Sequence, residues 1–257
     1  MGTPDLMKSE DAKNILPDNL FGLHRGEETL RTKALGILKE KENLKVHLAV
    51  VEAAMDIADI FRQFETDDED LKVLQLMGMR TFNAFGASLK LALSGYHQNS
   101  ALILRDVLET VFLVDLFSRD HSLIEEWRFA DKKAIKRKFS PFQVRVKLDD
   151  LDGFTERKRA DLYELFSELA GHPTMKSAWM MRPDKNGDAV IGPFMEATAL
   201  EAVISEMGRL AVQIGEKLIT FFPQDWETGI YAQADFIEKN RKWIETFFPN
   251  AVRRKPE

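Results

Sequence analysis

HQNSALILRDVLETVFLVDLF, residues 97–117, decides the fold. From 101 to 117 twelve of the seventeen residues are apolar, and on a helical wheel they leave no face uncovered, from Leu102 and Leu113 round to Val107, Leu104 and Leu108. A helix that is apolar all round is a buried one, so the stretch predicts a central core helix. Charges interrupt it at Arg105, Asp106, Glu109 and Asp115. That keeps it short of the roughly 20 uninterrupted apolar residues a membrane span needs. Arg105 and Glu109 stand four apart on one side, nearly in register with Phe112 and Leu116, which points both charges into packed surroundings.

Toward the N-terminus, residues 71–95 read as a helix with Leu74, Met77, Phe82, Phe85, Leu89 and Leu93 apolar and small residues between them. The break at 94–100 makes an antiparallel hairpin with the central helix, which Asn99 or Ser100 would cap. Residues 27–64 carry apolar positions at steps of three and four, giving one amphipathic helix or a pair. The carboxylates at 65–70 end it and favour the start of the next helix. Residues 1–24 lack periodicity and read as an irregular lead-in.

Toward the C-terminus, Leu151-Asp152-Gly153-Phe154 is a turn into a helix over 155–170, stopped by Gly171-His172-Pro173. Residues 177–194 read as two short strands joined at Asn186-Gly187, a small β-hairpin. Its turn, 184–188, imitates the opening of a calcium loop but has Ala189 where glycine is needed and Met195 in place of the bidentate glutamate. Amphipathic helices follow over 195–222 and 226–248. The expected fold is all-α, a multi-helix bundle around a buried central helix with one small β-hairpin insertion. It forms a single domain over 25–248, with its core at about 70–222, and a tail at 249–257.

Hydrophobic content of 44% and charged content of 30% are those of an ordinary globular chain able to bury a core. No cysteine is present, which excludes disulfides, thiolate nucleophiles and cysteine-bound metals. No basic region followed by an apolar core opens the sequence, so the expectation is a cytoplasmic protein away from the membrane. The formal charge of −6 disfavours indiscriminate nucleic-acid binding. Residues 128–147 depart from it: eight positive charges face one negative, so this segment is +7 and the rest of the chain −13. Lys132, Lys133, Lys136 and Arg137 would share a helical face there. Trp127, Phe129, Phe139 and Phe142 are interleaved with them, either as stacking platforms for bases or as the side that docks on the core. The charges form a phosphate surface, a solvated face, or a contact with acidic groups.

Phosphate loops, HExxH, nucleophile elbows and the Glu-x-x-His pairs of di-iron bundles are all missing, and the five histidines are scattered. Neither a metal nor a cofactor is expected. The candidate polar centre is Arg105, Glu109 and His172, supported by Tyr163 and Ser167. An ion pair inside an apolar helix is expensive to desolvate and persists only when its remaining donors and acceptors are met. Functionally, Arg105 would clamp an anion while Glu109 and His172 position protons. Structurally, the same groups would be a polar staple fixing helix register.

The run GYHQNSALILRDVLE at 95–109, a Trp-containing basic helix and then YELFSELAGHP at 163–173 resemble the bacterial helical proteins grouped near the HEPN domains. HEPN ribonucleases carry an Arg-x4–6-His motif, and no arginine here stands that far before a histidine. His172 would have to supply the imidazole from another helix. The resemblance implies RNA or nucleotide association, a role in stress or phage defence, and homodimerisation across the core helices. Any cleavage would be metal-independent. The alternative is a non-catalytic, homodimeric structural or protein-interaction protein.

Overall fold

The computed structural model describes residues 15–183 and 187–252. Among the described residues nine helices of seven residues or more carry the fold: α1 (Asp18–Glu40), α2 (Glu42–Phe61), α3 (Glu69–Leu93), α4 (His97–Arg119), α5 (Ser122–Arg128), α6 (Pro141–Asp152), α7 (Lys158–Phe166), α8 (Ala197–Leu218) and α9 (Glu227–Phe247). Helices α2, α3, α4 and α8 form a ring in which each packs on its two neighbours. α9 lies against α2, while α6 and α7 cover part of α4.

Local chemistry accounts for the main boundaries. Asp68 caps α3, its carboxylate accepting from the backbone N–H of Asp70 and Leu71, which satisfies two of the donors a helix start leaves open. Gly153 ends α6 at φ +65°, where a side chain would be strained. The residue that opens α4 is His97, after Tyr96, so neither Asn99 nor Ser100 is its cap. Ser100 lies inside the helix, fully buried, and its hydroxyl meets that of Ser88 on α3 at 2.8 Å. The first helix begins at Asp18, within the stretch expected to be irregular.

Helix α4 is buried along Leu104, Val107, Leu108, Val111, Val114 and Phe117, but not on every side. Leu102 is 40% exposed, and Arg105, Asp106, Glu109 and Leu113 are half-buried. It also shares the centre with α2 and α8, where Leu44, Ile57, Leu200, Ile204, Met207 and Ile214 are as fully buried. At one end α2, α8 and α9 are tied by His47. Its Nδ1 accepts from the Trp243 indole at 2.9 Å and its ring stacks on Phe247 at 4.1 Å. Gly208 of α8 makes room for it, since a Cβ there would sit 2.4 Å from Nδ1.

The β-hairpin expected over 177–194 is not present: no strand occurs among the described residues. Residues Ser177–Met181 coil into a 3-10 turn instead. Thr174 and Ser177 bond each other's backbone and hydroxyls, which favours a turn over an extended strand. One bond, from Val190 N–H to Met181 O at 3.0 Å, links the two arms. Trp179 is 61% exposed and Ile191 wholly so, and of the described segment only Ser177 is buried, so no apolar face is covered well enough to hold a two-stranded ribbon, which is marginal when isolated. The loop compared with a calcium site includes 184–186, which lie outside the described residues.

Candidate functional site

The basic segment divides into a used part and a free part. After α5, Lys132–Ala134 makes one helical turn and Ile135–Phe139 a π turn before Pro141 opens α6. Arg128 pairs with Asp70 at 3.2 Å and Glu69 at 3.7 Å, and Lys138 pairs with Glu126. Arg145 is 7% exposed, with its guanidinium carbon 4.0 Å from the centre of the Tyr163 ring. It therefore belongs to the interior, not to a basic surface. Lys132, Lys133, Lys136 and Arg137 are exposed and form no ion pair among the described residues. The aromatics divide the same way. Trp127 and Phe139 pack edge-on to Phe117 of the core, while Phe129 and Phe142 are 73% and 61% exposed. Phe129 and Arg137 line one shallow pocket with Glu125, Glu126 and Asp131. Of these carboxylates, Asp131 caps the turn at Ala134 and Glu126 holds Lys138.

Four of the five residues expected at the polar centre meet. Arg105 reaches Glu109 at 3.3 Å, donates from Nε to Ser167 Oγ at 3.0 Å, and donates from an Nη to the Tyr163 hydroxyl. That hydroxyl in turn donates to Glu109 Oε1 at 3.0 Å. Tyr163 belongs to α7, and Ser167 to the π turn Ser167–Gly171 that continues it. The wider turn brings this segment across α4. His172, by contrast, is exposed, and among the described residues it makes no side-chain hydrogen bond or ion pair. Every group of the Arg105–Glu109–Tyr163–Ser167 cluster has a protein partner. The pair is half-buried, beside a pocket of about 360 Å³ lined by Leu102, Ile103 and Asp106.

A second charged cluster was not singled out from the sequence. Asp115 of α4, 7% exposed, accepts from Arg119 Nε at 3.2 Å and pairs with Lys217 of α8 at 2.8 Å, both at Oδ1. Arg119 reaches on to Asp152 at 3.1 Å, and Arg159 joins Asp152 to Asp149. The hydrogen bond from Arg159 and the charge of Arg119 outweigh partial burial and hold the Asp152 carboxyl below its ordinary range. Asp115, chiefly by its charge, holds Arg119 more firmly protonated. This ladder lines a pocket of about 500 Å³ between α4, α6, α7 and α8. Its sequence signal was the Asp115 and Arg119 spacing of four, the same spacing that marked Arg105 and Glu109.

Among the described residues no group of three or more metal-ligating side chains gathers, and no helix is long and apolar enough to cross a membrane. Compared with protein-family models, curated proteins and solved structures, the chain finds no match in any of the three.

Proposed function

We propose that this chain is a helical, HEPN-like module that binds single-stranded RNA without cleaving it, through the face of Lys132, Lys133, Lys136 and Arg137. The observation that carries this reading is the division of the basic segment. Arg128, Lys138 and Arg145 are engaged within the fold, whereas those four cations have no anionic partner among the described residues. Exposed Phe129 shares a pocket with Arg137. A cationic track beside an aromatic ring is the combination that takes phosphates and stacks a base. Cleavage has no comparable support, because the exposed imidazole of His172 makes no bond to Arg105 or Glu109 among the described residues.

Binding of the purified chain to labelled single-stranded RNA across a salt series tests the reading. Four phosphate contacts give a slope of log affinity against log salt of about −3. Changing Lys132, Lys133, Lys136 and Arg137 to glutamate removes binding. No binding at low salt would sink the proposal and favour the second reading, a homodimeric interaction protein. For that reading the exposed Ile230, Tyr231 and Ile237 of α9 speak.

A further inference from the structure

We propose that the pocket between α4, α6, α7 and α8 is a binding site for a small organic anion, an apolar body carrying one phosphate or carboxylate group. The site is independent of the basic face.

Geometry gathers positive charge on one wall. Arg119 Nε and Lys217 Nζ lie within about 6 Å of each other, because both reach Asp115 Oδ1, at 3.2 and 2.8 Å. Arg159 joins them through Asp152. With Lys158 the pocket lining holds four cations against the carboxylates of Asp115, Asp152 and Glu216. Behind the lining Asp149 pairs with Arg159 and Glu156 with Lys158, so Arg119 and Lys217, which share Asp115, are the cations left to meet a ligand. Glu216 is held by the Asn240 amide, from which it accepts at 2.8 Å, and keeps its charge.

Donor capacity remains. Lys217 has three ammonium hydrogens and among the described residues reaches one oxygen, Asp115 Oδ1, while the Gln213 amide makes no hydrogen bond there. Asp115 and Asp152 hold Arg119 in place before a ligand arrives, which lowers the ordering cost of binding. Phe112, Leu162 and Phe154 supply apolar walls. A volume of about 500 Å³ falls within the range of small-molecule sites. Cations on one wall and apolar side chains on the others match an anionic headgroup on an apolar body. A purely structural ladder has no need of the cavity.

Calorimetric titration of the purified chain at low salt tests this with phenyl phosphate, phenylacetate, inorganic phosphate and benzyl alcohol as probes. Saturable binding of phenyl phosphate or phenylacetate at one site is expected, and which of the two binds tighter identifies the headgroup. Lys217→Gln weakens it by at least about tenfold. Phe154 is 55% exposed and its side chain touches the ladder only through its ring, whose centre lies 5.3 Å from the guanidinium carbon of Arg159, so Phe154→Ala spares the fold and weakens binding about threefold by removing an apolar wall. The charge reversal of Lys132, Lys133, Lys136 and Arg137 leaves binding intact. The proposal is overturned by failure of both organic anions to saturate, by saturation undiminished in both pocket variants, by inorganic phosphate or benzyl alcohol binding as well as the organic anions, or by loss of binding in the charge-reversed variant.

Discussion

Two ion pairs on one helix, with one spacing, have different fates. Arg105 and Glu109 stand in the first half of α4 at 3.3 Å, Asp115 and Arg119 in the second half at 3.2 Å. The first pair turns toward neutral hydroxyls, those of Tyr163 and Ser167, and its carboxylate keeps 31% of its surface. The carboxylate of the second keeps 10% and collects a further cation, Lys217, from α8. Their order along the chain also differs. With aspartate first and arginine at the helix's C-terminal end, the second pair lies with the helix dipole, and the first lies against it. Spacing of four thus identifies a pair, while the neighbouring helices decide whether it is a closed staple or one rung of a longer ladder.

The largest expected effect lies outside both pairs and sets the baseline for measuring them. Burial, and then the charge of Arg209, lower the pKa of His47 from 6.5 to about 4. Unfolding therefore takes up a proton between those values. The stability His47 provides is complete above pH 6.5 and is lost as pH falls toward 4, by about 3 kcal/mol. Urea titrations across that window should show the loss in the parent and not in His47→Gln; equal slopes in both would mean the imidazole is not buried neutral. The contribution of Asp152, whose carboxyl is held low, is present above 3.8 and falls away only below it. Acidification therefore separates the histidine from the ladder.

Next in size is the contrast between the pairs themselves. Asp115→Asn removes a buried negative charge shared by two cations and should cost about 2–3 kcal/mol, whereas Glu109→Gln, at a half-exposed pair, should cost below about 1 kcal/mol. Equal losses in chemical denaturation would erase the distinction drawn here. The smallest effect is that of Tyr163→Phe. It removes the hydroxyl that links Arg105 to Glu109 but leaves the ring against Arg145, and should cost about 0.5 kcal/mol. A loss indistinguishable from zero would mean that water replaces the hydroxyl without penalty.

Much of the fold was legible in the sequence because helices announce themselves locally. The 3.6-residue periodicity of residues 195–222, the acidic start at 65–70 and the turn at 151–154 each correspond to an observed element or boundary. The hairpin expected over 177–194 failed for a physical reason: turn residues and short apolar runs are necessary for a ribbon, but something must cover one face, and nothing does. Within the candidate site, Arg105 with Glu109, Tyr163 and Ser167 was readable from spacing along two helices. His172 was placed with them by order along the chain, but its backbone is extended after Gly171 and its exposed side chain makes no bond to the cluster among the described residues.

By itself the sequence determined that this is a helical bundle without cysteine chemistry, and that its positive charge is concentrated over residues 128–147. Only the tertiary structure decided which of those charges are free. Arg145 was one cation among eight until α7 laid Tyr163 against it, and Arg128 until α3 offered Asp70. The ladder from Lys217 to Asp149 joins residues of α4, α6, α7 and α8 that lie up to about a hundred positions apart. Periodicity reports on one helix at a time, whereas the partner of a charge is fixed by whichever helix the packing of the core brings beside it.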